Sequence, residues 1–359
     1  MSRMSKVLKN AVNPIVEGER ATFIWIGEQA PILHGDMNWW GMERPPIRLQ
    51  KQDKDVWSVT LTLPRNAYIE YAFFAEDDKN GEMRLLDPRN PRQISNGVSG
   101  YNNFFTMPMY MPAYGRETRP NVRKGRVTKH TLKSRYIGGG KRDVWLYQPP
   151  VTEPVPLLLV WDGHDYVFRA KLPTIIDNLI SDKLIKPIAL LCIQNAKSYR
   201  YTEYLTGDAA IFMATQLGIP LAQAHLNLLP PEDGAYGVLG ASMGGLMALY
   251  TALRLPHIFG RVISQSGAFH LKLTPETPTL VETLFSYSQP PLQIWQDVGV
   301  YEWLYPYNQA FHQQLTSAGY DVAYREFNGG HNYTSWADQL PNALRHIFGT
   351  SWTYDEVPF

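Results

Sequence analysis

The sequence predicts an α/β protein with a mostly parallel central sheet, preceded by a small all-β sandwich. Three observations carry that prediction. Residues 21–110 break into short strands separated by turns, with no helix-length stretch between them. From about residue 126 onward, apolar strand-length runs alternate with helical ones. The pentapeptide Gly240-Ala241-Ser242-Met243-Gly244 falls where one of those strands passes into a helix.

The elements follow in order. In the first region, 22–26, 56–63 and 68–74 read as strands, and 56–63 alternates apolar and polar residues as one sheet face against solvent requires. Pro64, Asp87-Pro88, Asn90-Pro91 and Asn96-Gly97 supply the breaks. The expected division is a sandwich over 1–112, a Pro- and Gly-bearing linker over 113–125 and an α/β domain over 126–359. That domain should open with a hairpin, 126–136 and 143–148, around Gly138-Gly139-Gly140. Strands at 157–161, 188–193, 236–239, 261–264, 292–298 and 322–327 then alternate with helices at 171–180, 209–228, 246–255 and 307–318 and a final helix. Continuous apolar strands joined by crossover helices imply a parallel sheet covered on both faces.

Composition narrows the function classes. With 359 residues, 44% hydrophobic and 19% charged, the chain has room for two domains and no long disordered tract. A net charge of +1 provides no global field for nucleic acid or an anionic membrane, so neither is an expected partner. The basic stretch 116–142 reads as a solvated hairpin face. The single cysteine, Cys192, excludes a disulfide scaffold and a thiolate zinc cluster. Residues 1–6 lead into mixed sequence without the apolar core of a secretion signal, and a cytoplasmic chain is the expectation. Aromatic residues, at 13%, fit a β-rich core or an aromatic-lined surface.

The G-x-S-x-G pentapeptide gains meaning from its setting. Glycines on both flanks allow a tight strand-to-helix turn that exposes the Ser242 hydroxyl, and the Met243 N–H at the helix N-terminus can face a developing oxyanion. A hydroxyl needs a base, and His331 stands after the strand 322–327 and the turn Asn328-Gly329-Gly330, just before the last helix. His34, His130, His257, His270 and His312 have no such setting and read as surface or core side chains. Two carboxylates compete to orient the imidazole: Asp297, inside its strand, and Glu302, in the loop beyond, which is favoured. The order Ser, acid, His is that of α/β-hydrolases. The second oxyanion donor should come from Asp162-Gly163-His164-Asp165-Tyr166, with the His164 N–H preferred. No zinc spacing surrounds His164, so a metal is not expected there, and a mechanism through serine, histidine and an acid needs neither a metal nor an organic cofactor.

These segments resemble the esterase family that includes enterochelin esterases, feruloyl esterases and mycolyl transferases. The resemblance rests on Gly240-Ala241-Ser242-Met243-Gly244-Gly245, on Val298-Gly299 to Glu302 followed by Asn308, and on Gly329-Gly330-His331 with Trp336 five residues on. It covers most of 126–350 and implies an α/β-hydrolase with Glu302 as the acid, although many members carry Asp there. Arg200-Tyr201-Thr202-Glu203-Tyr204-Leu205 is similar to an Arg-x-x-Glu-Leu segment of the enterochelin-esterase branch, with Tyr204 departing from it. By that likeness Arg200 reaches substrate, as does Trp336; the alternative for Arg200 is a pair with Glu203. The N-terminal stretch, with Gly35-Asp36-Met37-Asn38-Trp39-Trp40 and Asp87-Pro88-Arg89-Asn90-Pro91, resembles the immunoglobulin-like modules of enterochelin esterases and glycogen-branching enzymes. Trp39 or Trp40 would then stack on a sugar or shape the rim of the site, or else serve as core.

The leading expectation is a serine carboxylic-ester hydrolase using Ser242, His331 and Glu302 on a small-molecule ester, a siderophore trilactone among the candidates. Alternatives are a feruloyl or acetyl esterase on acylated carbohydrate, an acyltransferase, or a carbohydrate-binding protein on a non-catalytic hydrolase scaffold. A homo-oligomer is compatible with the sequence.

Overall fold

In the computed structural model, residues 12–77, 81–97, 100–285 and 290–350 are described. The chain divides into two compact units. One holds the chain up to Met111 together with two later segments, Gly299–Trp303 and Glu326–Ser335. The other holds Pro112–Val298, Leu304–Arg325 and the chain from Trp336.

The first unit is a β-sandwich. Its strands are β1 (Ile15–Glu17), β2 (Arg20–Ile26), β3 (Ile32–Gly35), β4 (Ile47–Arg48), β5 (Gln50–Asp53), β6 (Val56–Thr62), β7 (Tyr68–Asp77), β8 (Gly81–Leu85), β9 (Gln93–Ser95) and β10 (Tyr101–Thr106). One sheet runs β1-β2-β6-β5, and the other β4-β3-β7-β10-β9 with β8 beside β7. Inward positions fill the core, where Phe23, Tyr71 and Phe105 meet edge-on with centroids 5.0–5.9 Å apart. The motif at 87–91 is a polar corner of this sandwich. Asp87 accepts bonds from Tyr71 Oη and Asn13 Nδ2, both at 2.7 Å, and Asn90 Nδ2 donates to the Phe104 carbonyl.

The second unit carries an eight-stranded sheet of β11 (Arg126–Lys133), β12 (Lys141–Gln148), β13 (Leu157–Trp161), β14 (Ala189–Ile193), β15 (Tyr236–Ala241), β16 (Phe259–Gln265), β17 (Gln293–Gly299) and β18 (Val322–Phe327). Their order is β11-β12-β14-β13-β15-β16-β17-β18. The hairpin joins the sheet antiparallel, and β14, β13, β15, β16 and β17 pair in parallel. Every residue of β13, β14 and β15 is buried, which is why they read as unbroken apolar runs. The second unit has an α/β-hydrolase fold and the first is an immunoglobulin-like sandwich.

Helix Leu172–Ser181 buries Leu172, Ile175, Ile176 and Leu179, one face at helical spacing, and carries Pro173 in its first turn. The single helix expected over 209–228 is instead Asp208–Phe212, a π-helical stretch Met213–Gly218, and Ile219–His225. Pro220 offers no N–H to the preceding turn, and the ladder widens just ahead of it. Residues 113–125 lie along the second unit: Arg119 bonds Asn178 and Asp182, and the Gly125 N–H donates to Asp177. Among the described residues no helix is long and apolar enough to cross a membrane.

Candidate active site

Ser242 sits between β15 and the helix Met243–Arg254 with φ +58° and ψ −125°. A non-glycine residue in that region costs about 1–3 kcal/mol and persists only where its surroundings enforce it. Here the enforcement is backbone. The Ser242 N–H donates to the Gln265 carbonyl at 2.9 Å, while its own carbonyl accepts from Ala268 and Leu246. Gly240 lies so close to Gly244 that a Cβ on it would stand 3.0 Å from the Gly244 Cα and nearer still to its carbonyl. A side chain on Gly244 would meet the Asp162 carboxylate at 2.5 Å. Small residues at both positions are therefore a steric condition of the turn.

The Met243 N–H opens the helix and has no carbonyl four residues back within it. His164 is the second residue of the short helix Gly163–Phe168, which follows β13 and is entered through Asp162 at φ +54°. The Asp162 carboxylate is gripped by both arms of Arg200, Nε at 2.8 Å and Nη2 at 2.7 Å. Gly163 packs on the backbone of Cys192, whose thiol pKa is raised by burial.

Glu302 and His331 form a pair in the first unit. His331 Nδ1–H donates to Glu302 Oε2, and Glu302 Oε1 accepts the Gly299 N–H at 2.7 Å. Glu302 is fully buried, the His331 side chain is 13% exposed, and the Trp303 ring lies 4.5 Å from the imidazole. The loops that carry them are tied together, Val300 N–H to the Phe327 carbonyl and Tyr301 N–H to that of Gly329. Asn332 Oδ1 accepts the Ser335 N–H and caps the helix Tyr333–Phe348. Ser242 follows β15, Glu302 follows β17 and His331 follows β18, each within a few residues of the strand's C-terminal end.

A family model described as Putative esterase matches residues 134–347. The chain belongs to this esterase family.

The chain is 30% identical over 239 residues to the iron(III) enterobactin esterase of Dickeya dadantii, covering 62% of this chain and 55% of that protein. It is 31% identical over 233 residues to an iron(III) salmochelin esterase of Escherichia coli, covering 60% and 56%. The matched stretches thus span little more than half the length of these two relatives. Among solved structures, the ferric enterobactin esterase of Salmonella typhimurium superposes with a TM-score of 0.76 at 22% identity, covering 96% of this chain and 98% of that one. A ferulic acid esterase of Anaeromyces mucronatus gives 0.54 at 18% identity over 67% of this chain and 96% of its own. At these identities the structural likenesses establish the fold.

The remaining candidate residues have definite places. Asp297 is fully buried, and its carboxylate accepts from Trp295 Nε1 at 2.7 Å and Gln265 Nε2 at 3.1 Å. Trp336 is buried too, its indole N–H donating to Ser266 Oγ at 2.8 Å. Arg200 is engaged by Asp162, whereas Glu203, its expected alternative partner, is held by Arg142 in a buried fork of 2.8 and 3.0 Å. Trp39 is not an exposed stacking platform: it is buried, with the Arg44 guanidinium 3.7 Å over its ring. Trp40 is half-buried and donates its N–H to Asp36 Oδ1.

Sequence reasoning missed Arg142, Asp162 as a clamped carboxylate, and Asp36. Burial, with Glu70 close by, holds the Asp36 carboxyl well above the ordinary carboxylate range. A sequence signal existed for Asp36, because an acidic residue inside Gly35-Asp36-Met37-Asn38 is unusual where the flanking residues are core, but its partner lies 296 positions away. Among the described residues, no group of three or more His, Cys, Asp or Glu is arranged to hold a metal ion.

Proposed function

We propose that this esterase hydrolyses a carboxylic ester through an acyl-enzyme on Ser242. In this reading His331 is the general base and acid, Glu302 orients it, and the Met243 and His164 N–H groups receive the oxyanion. The observation that carries the reading is a strained serine in a strand-turn-helix elbow together with a histidine whose Nδ1 is committed to a buried carboxylate. Because Nδ1–H is donated to Glu302, Nε2 keeps its lone pair and can accept the Ser242 proton. Ser242 Oγ adds to the ester carbonyl, and collapse of the tetrahedral species breaks the ester C–O bond. The alcohol leaves with the proton from Nε2. Water, deprotonated by the same nitrogen, then cleaves the acyl-enzyme to the acid and restores the serine.

The substrate proposed is a siderophore trilactone of the enterobactin type. Support comes from the relatives named as enterobactin and salmochelin esterases. Arg200 is proposed to border the pocket through its hold on Asp162, with Trp336 in a supporting place behind Ser266.

Ser242→Ala should lower kcat by about a million-fold and abolish labelling by a fluorophosphonate while the far-UV spectrum is unchanged. Retained turnover removes the assignment. A hydrolysis panel of short p-nitrophenyl esters, ferric enterobactin, a feruloyl sugar and an acetylated sugar tests the substrate. Preference for either sugar ester moves the enzyme to acylated carbohydrate.

A further inference from the structure

The two segments that bear Glu302 and His331 extend from strands of the central sheet, yet they group with the N-terminal sandwich. The contacts responsible are specific. The Tyr68 N–H, at the start of β7, donates to the Asn328 carbonyl at 3.2 Å, and Asn328 Nδ2 donates to Asn66 Oδ1 at 2.8 Å. Tyr301, next to Glu302, packs on the sandwich's hydrophobic core. The closest hold is at Asp36. Its Oδ2 accepts from Asn332 Nδ2 at 3.3 Å and from the Glu70 N–H at 2.8 Å, and its Oδ1 accepts from Trp40 at 2.9 Å. On the other side of the histidine, Gly330 lies flat against the same side chain, where an added Cβ would stand 2.6 Å from the Asp36 Cβ. Asp36 thus touches the residue before His331 and the residue after it.

A carboxylate buried to 1% exposure beside a second buried acid, Glu70, is a costly way to close a turn. An uncharged residue would leave the turn without that cost, but it could not accept from Trp40, Glu70 and Asn332 at once. We propose that Asp36 of the N-terminal sandwich is a positioning residue for His331, fixing residues 330–332 and thereby the aim of the imidazole. The sandwich is then a working part of the catalytic apparatus. This rests on the role given to His331 above, and it adds that a residue about 300 positions earlier sets the ring's geometry.

The test uses the full chain and two esters, p-nitrophenyl acetate and ferric enterobactin. Asp36→Ala should reduce kcat at least tenfold on both, with KM changed less than about twofold, because displacement of a reacting group acts on the chemical step whatever the size of the substrate. Fluorophosphonate labelling of Ser242 should slow by the same factor. Asp36→Asn, which retains one oxygen for Asn332, should recover part of the rate. Asn332→Asp keeps the helix cap but turns the donor toward Asp36 into a second carboxylate oxygen, so it should reproduce the kcat loss. Full kcat in a folded Asp36→Ala, or a loss confined to KM for the larger ester, overturns the proposal. If Asp36→Ala does not fold, Asn332→Asp decides alone, and wild-type kcat there overturns it. The Ser242→Ala control separates the two readings: residual activity in that variant sinks the mechanism itself, whereas an inactive Ser242→Ala with an unimpaired Asp36→Ala sinks only the positioning role.

Discussion

The surroundings of Ser242 and of His331 are built from different materials. Ser242 is held almost wholly by backbone: its own N–H and carbonyl are bonded to Gln265 and Ala268, and glycines at 240 and 244 permit the close approach. His331 rides on a loop outside any ladder: backbone N–H groups of Tyr68 and Tyr301 hold Asn328 and Gly329, but the ring and the residues to either side of it are held by side chains, Glu302 on Nδ1 and Asp36 on Gly330 and Asn332. A backbone-built turn needs only the right small residues in a row. A side-chain-built loop needs partners that the chain must bring from far away, so each partner is separately breakable.

The contrast can be broken at its strongest point first. Glu302→Gln keeps the bond to the Gly299 N–H but can turn an amide N–H toward His331 Nδ1, favouring the wrong tautomer. A fall in kcat of about 10³- to 10⁴-fold with unchanged urea midpoint is expected. Arg142→Met strips a buried carboxylate, Glu203, of the fork that neutralises it, and should cost about 3–5 kcal/mol in denaturant unfolding without a specific effect on the chemical step. Gly240→Ala tests the backbone side. Overpacking against Gly244 should cost about 1–3 kcal/mol and remove phosphonate labelling at temperatures where the protein is still folded. Arg200→Met is the mildest. It leaves the Asp162 carboxylate, itself 2% exposed, without its fork, but the 25% exposure of the Arg200 side chain lets water replace part of it, so about 1–3 kcal/mol of stability is at stake, and steady-state kinetics should register the loosened Asp162 turn as a lowered kcat.

Much of the fold was legible. The strands predicted at 157–161 and 322–327 have the bounds the structure shows, because a run of apolar residues closed by turn formers leaves little freedom. The spacing predicts a helix from 246 after Ser242, whereas it begins at Met243. The two glycines at its start argue against a helix on propensity, and only the packing of the elbow against β16 overrides them. The spacing over 209–228 predicts one continuous helix because apolar spacing barely registers a π-turn. Trp39 and Trp40 were open between surface and core, since a Trp-Trp pair in a turn carries no periodicity to decide the matter.

The linear order of residues determined the class of fold, the elbow at Ser242 and the choice of His331, because glycine spacing and strand-to-helix alternation are local properties of the chain. The Arg142–Glu203 fork, the Asp162–Arg200 clamp and the Asp36 contact with Gly330 and Asn332 belong to the folded molecule alone. Buried charges take whatever partner the packed elements bring within about 3 Å. No pattern along the chain encodes that encounter.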